Sequence, residues 1–83
     1  MKKLLYFSAD WCEPCKQLDI LMEELSQENI NIQKINVDTN PDAADGFRIQ
    51  NIPTVVLTID GVDSGRKVGL NHRSMYIELY NQN

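Results

Sequence analysis

The segment Trp11-Cys12-Glu13-Pro14-Cys15 constrains this chain more than any other, because it holds the only two cysteines of the sequence. A short apolar run of residues 2–8 comes directly before it and is typical of a strand. Behind it, a helix is indicated by apolar residues that recur at spacings of three and four, namely Leu18, Leu21, Met22 and Leu25. A Cys-x-x-Cys motif between a strand and a helix is typical of a redox-active dithiol.

The spacing of the two cysteines allows a disulfide, because residues three apart on a helix lie about 5–6 Å apart at Cβ. Closing so short a ring adds only roughly 2 kcal/mol by chain entropy, so the bond is better suited to reversible chemistry than to stabilising the fold. If Cys12 begins the helix, the unpaired N–H groups and the helix dipole lower its thiol pKa from about 8.5 to about 7. We therefore expect Cys12 to be the nucleophile and Cys15, one turn further on and more shielded, to be the resolving cysteine. Pro14 fits the first helical turn, where its missing N–H costs nothing.

Other interpretations of the cysteine pair stay open. A zinc site needs four ligands, and the rest of the chain offers only His72, so we expect no bound metal. The cysteines could also be two inert buried thiols, or could belong to a fold that has lost its activity. The exposed character of the Trp11-Cys12-Glu13-Pro14 segment disfavours buried inert thiols, and the presence of both cysteines disfavours a fold that has lost its activity.

Length and charge narrow the class of protein. With 83 residues the chain is expected to form a single domain, residues 1–83. A net charge of −4 gives no electrostatic support for binding nucleic acid or an anionic membrane. No apolar stretch reaches the length of about 18 residues that a membrane span requires. The N-terminal apolar run is too short for a signal peptide and is interrupted by Asp10, so we expect a location in the cytoplasm. We also expect the protein to be a monomer.

The order of elements predicted along the chain is β-α-β-α-β-β-α. The first β-α-β unit implies a parallel pair of strands with a right-handed crossover. Asp60-Gly61 is a hairpin signal, so the strand that follows should return antiparallel. Asn71 is the expected N-cap of the last helix. The predicted ranges are strands at 2–8, 30–37, 54–59 and 63–68, with helices at about 13–28, at 41–47 and after residue 71.

The chain resembles the thioredoxin family over nearly its whole length. The matching segments are Ala9 to Lys16 around the cysteines, Lys34-Ile35-Asn36-Val37-Asp38, Ile52-Pro53-Thr54 and Lys67-Val68-Gly69. The resemblance implies an α/β protein with the thioredoxin fold in a minimal form, a four-stranded mixed sheet with three helices. The family's usual first strand and helix are missing, as in glutaredoxins and minimal thioredoxins.

The resemblance also implies roles for four residues outside the cysteine pair. Pro53 is then a cis proline beside the disulfide, and the backbone of Ile52 pairs with an extended substrate segment. Trp11 and Gly69 contribute to an apolar docking surface around Cys12. The alternative for Trp11 is simple packing at the start of the helix.

Three positions, Tyr6, Lys34 and Glu13, bear on how the cysteines are tuned. Tyr6 stands where the family usually has a buried aspartate that handles the proton of the resolving cysteine. Lys34, the usual ion-pair partner of that aspartate, is present, so either it is a neutralised or snorkelling lysine or another group pairs with it. Glu13 stands where thioredoxins usually have glycine, and its charge should oppose ionisation of Cys12. Glu13, Pro14 and Lys34 are therefore expected to tune the pair.

The resemblance implies a dithiol–disulfide oxidoreductase that reduces disulfide-containing proteins. No bound cofactor is expected, because an external thioredoxin reductase, glutathione or another thiol would regenerate the Cys12–Cys15 disulfide. One alternative is a glutaredoxin-like, glutathione-dependent reductase, although glutaredoxins usually carry Cys-Pro-Tyr-Cys. The other is a non-catalytic binding module that uses the thioredoxin surface to hold a partner.

Overall fold

Seven elements follow one another in the computed structural model, which describes residues 1–82. The predicted order β-α-β-α-β-β-α is confirmed. Asn83, the last residue of the expected domain, lies outside the described residues. The elements are β1 (Lys2–Ser8), α1 (Glu13–Ser26), β2 (Ile32–Asn36), α2 (Pro41–Gly46), β3 (Thr54–Ile59), β4 (Val62–Val68) and α3 (Arg73–Tyr80).

The four strands form one mixed sheet in the order β2-β1-β3-β4. Strand β1 is parallel to β2 and antiparallel to β3, and β3 is antiparallel to β4. The central position of β1 agrees with its apolar side chains on both faces. Asp60 (φ 53°) and Gly61 (φ 84°) both have left-handed backbone conformations in the turn between β3 and β4. The predicted hairpin is therefore confirmed.

The alternation of side chains along β1 divides the core between the two faces of the sheet. Leu4 and Tyr6 pack on the face covered by α1 and α3, whereas Leu5 and Phe7 pack on the face that carries α2. The first cluster includes Leu18, Met22 and Leu25 of α1, Val55 and Leu57 of β3, and Tyr76 and Leu79 of α3. Residues 9–12 then connect the end of β1 to the start of α1, which places the cysteine motif at the edge of this core.

Two predicted boundaries differ from the structure near residue 30. Helix α1 ends at Ser26 rather than near residue 28, and Asn29 takes a left-handed conformation (φ 67°). Strand β2 begins at Ile32 rather than at Ile30. Ile30 is instead buried in the core beside α1. Residues 30 and 31 were predicted as strand but belong to the connection between α1 and β2, because the chain must turn there before β2 can pair with β1.

The predicted N-cap of the last helix is wrong by one residue. His72 caps α3, and its ring nitrogen Nδ1 accepts a hydrogen bond from the backbone N–H of Ser74. The side chain of Asn71 instead donates hydrogen bonds to the carbonyl oxygens of Val68 and Gly69. The side-chain amide of Asn71 is thus bonded to the turn after β4, and the next residue, His72, caps the helix.

Candidate active site

Helix α1 begins within the cysteine motif. Cys12 is the N-cap, with an extended backbone (φ −89°, ψ 109°), and its Sγ accepts a hydrogen bond of 3.3 Å from the backbone N–H of Cys15. Glu13 is the first helical residue, and Pro14 lies in the first turn. The sulfur of Cys12 therefore lies at the positive end of the helix dipole, where a thiolate is stabilised.

Cys12 and Cys15 form a disulfide, with their Cα atoms 5.2 Å apart. Both are buried, with 4% and 2% of their surface exposed. The expected greater shielding of Cys15 is thus only a small difference in the oxidised state. Ala9 lies in the same buried cluster, and Val37 and Ile52 pack against it. A partner must therefore reach the disulfide across the surface formed by its neighbours.

One of these neighbours is the Ile52–Pro53 segment. The peptide bond between the two residues is cis, as the resemblance implies. Pro53 is fully buried, and its carbonyl oxygen accepts a hydrogen bond of 2.8 Å from the N–H of Gly69. Within residues 1–82, no hydrogen bond engages the backbone N–H or C=O of Ile52. Ile52, which packs against the disulfide cluster, therefore has a backbone N–H and C=O that are open to a partner.

Trp11 forms an exposed apolar surface next to the motif. The residue is 68% exposed, so it does not simply pack at the start of the helix. The indole Nε1 donates a hydrogen bond of 2.9 Å to Oδ2 of Asp38. An open, largely apolar pocket of about 360 Å³ is lined by Trp11 and Ile52 together with Val37, Ala44, Ile49, Gln50 and Asn51.

Gly69 lies at the end of β4, where the chain turns away from the sheet. Its backbone has a φ of 82°, which favours glycine, and an added Cβ would have no atom within 4 Å. The conformation, and not a lack of space, therefore selects glycine here. Its neighbours Val68 and Leu70 are 53% and 47% exposed and extend the apolar surface beside Pro53.

The Glu13 side chain points to solvent from the first turn of α1. Its Oε1 lies 3.0 Å from Nζ of Lys16, and the two side chains are 82% and 61% exposed. Solvent and the lysine both screen the carboxylate, so its effect on the nearby sulfur of Cys12 is small.

Tyr6 is buried behind the motif and contacts Cys15 directly. Its hydroxyl lies 2.9 Å from the carbonyl oxygen of Cys15 and 2.9 Å from Oδ1 of Asp19. Burial raises the pKa of Tyr6 well above its usual value, and the hydrogen bond and negative charge of Asp19 raise it further. The hydroxyl therefore stays protonated and acts as a donor.

Lys34 pairs with Asp19. Of the three residues Tyr6, Asp19 and Lys34, only Asp19 was not expected from the sequence to belong to the site. The Nζ of Lys34 lies 3.0 Å from Oδ1 of Asp19 and 5.9 Å from the centroid of the Tyr6 ring. Of the two possibilities left open for the lysine, pairing with another group is the correct one. The missed signal was the position of Asp19 one helical turn after Cys15, which puts both on one face of α1.

Metal ligands are not grouped in the part of the chain that the structure describes. Residues 1–82 contain no cluster of three or more His, Cys, Asp or Glu side chains that could hold a metal ion. The single histidine, His72, caps α3. In the same residues, no helix is long and apolar enough to cross a membrane.

A disulfide at the N-terminal end of a helix, packed against the residue that precedes a cis proline, on a four-stranded mixed sheet, defines a dithiol–disulfide oxidoreductase with the thioredoxin fold. The family model described as Thioredoxin matches residues 1–81. The chain therefore belongs to the thioredoxin family, and its Cys12–Cys15 pair is that of a thioredoxin-like disulfide reductase.

Individual relatives agree with this assignment. The thioredoxin of Rickettsia bellii is 37% identical over 83 residues, covering 96% of this chain and 79% of that protein. The thioredoxin of Chlamydia caviae is 40% identical over 81 residues, covering 95% of this chain and 79% of that protein. Among solved structures, a mutant thioredoxin from Halobacterium salinarum superposes with a TM-score of 0.91 at 33% identity, covering 98% of this chain and 73% of that chain.

Proposed function

We propose that Cys12 attacks the disulfide of a substrate protein and that Cys15 then resolves the mixed disulfide. In the first step the Cys12 thiolate forms a bond to one substrate sulfur, and the other substrate sulfur leaves as a thiolate. In the second step Cys15 attacks Sγ of Cys12, which re-forms the Cys12–Cys15 bond and releases the second substrate sulfur. The observation that carries these roles is the helix N-cap position of Cys12, with its sulfur accepting the N–H of Cys15.

The substrate-binding residues in this proposal are Trp11, Ile52, Pro53 and Gly69. The open backbone donor and acceptor of Ile52 support pairing with an extended substrate segment next to the disulfide. The N–H of Gly69 donates a hydrogen bond to the carbonyl oxygen of Pro53, which fixes the part of the proposed docking surface that follows β4. Trp11 supplies exposed aromatic surface and lines a pocket together with Ile52.

The tuning residues in this proposal are Glu13, Pro14 and Lys34. Glu13 adds a screened negative charge one residue from Cys12, and Pro14 shapes the first turn that presents the sulfur. Lys34 reaches Cys15 only indirectly, since it pairs with Asp19, which contacts the Tyr6 hydroxyl on the Cys15 carbonyl.

Electrons would come from an external donor, either a thioredoxin reductase or glutathione. Thiol–disulfide exchange needs no prosthetic group in this chain, because the two sulfurs carry the electron pair. The Trp-Cys-Glu-Pro-Cys sequence and the family membership favour a thioredoxin reductase. Two assays would decide between the donors, one coupled to thioredoxin reductase and NADPH and the other coupled to glutathione. Turnover in the first and not in the second would support a thioredoxin reductase. The reverse result would favour the glutaredoxin-like alternative.

The setting of the activity is also part of the proposal. Residues 1–83 would act as one monomeric domain, since each chain carries both cysteines and the surface beside them. A reducing compartment such as the cytoplasm would keep the pair available as a dithiol. Sedimentation of the reduced protein tests the monomeric state.

Single cysteine variants test the assigned roles. Cys12→Ser should abolish reduction of a disulfide-bonded protein, because it removes the attacking sulfur. Cys15→Ser should form a mixed disulfide with that protein that persists on a non-reducing gel. If the Cys12→Ser/Cys15→Ser double variant kept the biological function, the protein would be a binding module instead.

A further inference from the structure

The resolving step requires Cys15 to lose a proton inside the protein, and this inference rests on the cysteine roles proposed above. Cys15 is 2% exposed in the oxidised protein, and only the thiolate form of a cysteine is an effective nucleophile. Burial in apolar surroundings disfavours a thiolate. Resolution therefore benefits from a nearby group that can accept the proton.

Three polar side chains, those of Tyr6, Asp19 and Lys34, form a connected cluster that reaches the backbone carbonyl of Cys15. The Tyr6 hydroxyl joins the Cys15 carbonyl oxygen to Oδ1 of Asp19, with both distances 2.9 Å. Lys34 lies 3.0 Å from the same carboxylate oxygen. Asp19 also lies four residues after Cys15, so the two Cβ atoms are neighbours on one helix face, about 5–6 Å apart.

Charged and titratable groups face this cluster from several elements. Within the cluster, Tyr6 comes from β1 and Lys34 from β2. Outside it, Glu23 of α1 lines the same pocket, and Tyr76 of α3 interacts electrostatically with Tyr6. A protonated tyrosine or lysine cannot accept a proton, which leaves the two carboxylates. Glu23 lies eight residues beyond Cys15, about 12 Å along the helix axis, whereas Asp19 is within one turn. Asp19 is therefore the better placed acceptor.

We propose that Asp19 accepts the proton of Cys15 when the mixed disulfide is resolved, and that Tyr6 is the positioning residue that holds the carboxylate near Cys15. The proton moves from the Cys15 thiol to the Asp19 carboxylate, either directly or through a water molecule. The resulting Cys15 thiolate forms a bond to Sγ of Cys12, and the bond between Cys12 and the substrate sulfur breaks. The departing substrate thiolate takes up a proton from solvent, and Asp19 later returns its proton to solvent.

The hydrogen bonds of Tyr6 suit a carboxylate that changes its protonation state. The hydroxyl has one proton and two acceptors within 2.9 Å, the Cys15 carbonyl and Asp19. With Asp19 ionised, the hydroxyl donates to the carboxylate. With Asp19 protonated, it donates to the Cys15 carbonyl and accepts from the carboxyl group, so no buried polar atom loses its partner.

Solvent can reach the cluster to remove the proton afterwards. Tyr6, Asp19 and Lys34 line an open pocket of about 300 Å³. One molecule in liquid water occupies about 30 Å³, so this pocket has room for water. A proton held by Asp19 therefore has a path to solvent that does not pass the substrate-facing side of Cys12.

The test separates the two steps with 5,5′-dithiobis(2-nitrobenzoate), whose released thiolate is coloured. When the reduced protein is mixed with an equimolar amount, the first release reports attack by Cys12 and the second reports resolution by Cys15. We expect Asp19→Asn to slow the second release by at least about tenfold near neutral pH, and to make its rate rise with hydroxide concentration. The first release should stay within about twofold of wild type.

Matched variants separate proton transfer from structural damage. Glu23→Gln removes the other carboxylate of the pocket and should leave both releases unchanged. Tyr6→Phe should slow mainly the second release, and Asp19→Glu should restore part of it. If Asp19→Asn folds poorly, Tyr6→Phe and Asp19→Glu carry the test. A second release in Tyr6→Phe that is as fast as in wild type would overturn the proposal.

Two outcomes for a folded Asp19→Asn variant also overturn the proposal. One is a second release within about twofold of wild type over about pH 6 to 9, and the other is equal slowing of both releases. Failure of the cysteine assignment looks different. In that case the first release persists in Cys12→Ser, whatever residue is present at position 19.

Discussion

The indole Nε1 of Trp11 donates a hydrogen bond of 2.9 Å to Oδ2 of Asp38, although the tryptophan residue is 68% exposed. Asp38 lies in the turn after β2, so this bond ties the aromatic ring to the sheet next to the disulfide. An exposed side chain that is already held in one orientation loses less conformational entropy on binding. The Asp38 carboxylate thus preorganises the surface that we propose for substrate docking.

Replacing Asp38 with alanine should weaken the use of protein substrates. Release of the indole should raise KM for a disulfide-bonded protein by about two- to tenfold, which corresponds to the cost of immobilising one side chain. The rate with a small aromatic disulfide should hardly change, because such a substrate needs little of the docking surface. Asp38→Asn keeps an acceptor oxygen and is the matched control. Equal losses with both substrates would contradict a docking role.

Replacing Glu13 with glutamine should make Cys12 more reactive. The neutral side chain no longer opposes formation of the thiolate, so we expect the rate of alkylation by iodoacetamide at neutral pH to rise by up to about threefold. The gain should shrink at high salt, because the carboxylate is exposed. Glu24→Gln, further along α1, is the control. An unchanged or slower rate in Glu13→Gln would reject the electrostatic effect.

The fold was predictable because each element carries its own local pattern. The apolar strand of residues 2–8, the helical spacing after Cys15 and the Asp60-Gly61 turn all act over a few residues, and each is found where it was expected. Helix ends were less predictable, because several side chains compete for the same backbone groups. The amide of Asn71 bonds the turn after β4, and His72 caps α3 instead.

The candidate site was predictable only in part, and Asp19 shows why. Its place in an amphipathic helix indicates a solvent-facing residue, and its side chain is indeed partly exposed. Its contacts come from Tyr6 of β1 and Lys34 of β2, which are far from it in the sequence. Such contacts depend on how the helix packs on the sheet. The cis bond before Pro53 was likewise expected from the resemblance and not from local pattern.

Gly69→Ala should destabilise the protein. The residue has a φ of 82°, which an alanine adopts only with strain of about 1–2 kcal/mol, while the space for a methyl group is open. We expect the free energy of unfolding in urea to fall by about this amount. Gly46→Ala is the control, because Gly46 ends α2, has no contact within 4 Å of an added Cβ, and should gain up to about 1 kcal/mol. Equal effects of the two substitutions would contradict this explanation.

The Asp63 carboxylate should contribute to acid sensitivity through Arg66. Burial by itself raises the pKa of Asp63, but the hydrogen bonds from Arg66 and from the N–H of Gly65, with the charge of Arg66, outweigh burial and hold the pKa below its usual value. Arg66 Nη2 also donates a hydrogen bond of 2.8 Å to the carbonyl oxygen of Phe47. The ion pair thereby helps to hold β4 against the segment that follows α2.

A carboxylate whose pKa is lower in the folded state stabilises that state above its unfolded pKa, about 3.9, and this stabilisation is lost as the pH falls through the folded value. Asp63→Asn should therefore lower the free energy of unfolding at neutral pH, with a difference from wild type that shrinks below about pH 4. Urea unfolding at several pH values measures this convergence. Asp45→Asn, at an exposed carboxylate of α2, is the control and should differ from wild type by a smaller amount. A difference for Asp63→Asn that stays constant from neutral to acid pH would show that the charge of Asp63 is not what stabilises the fold.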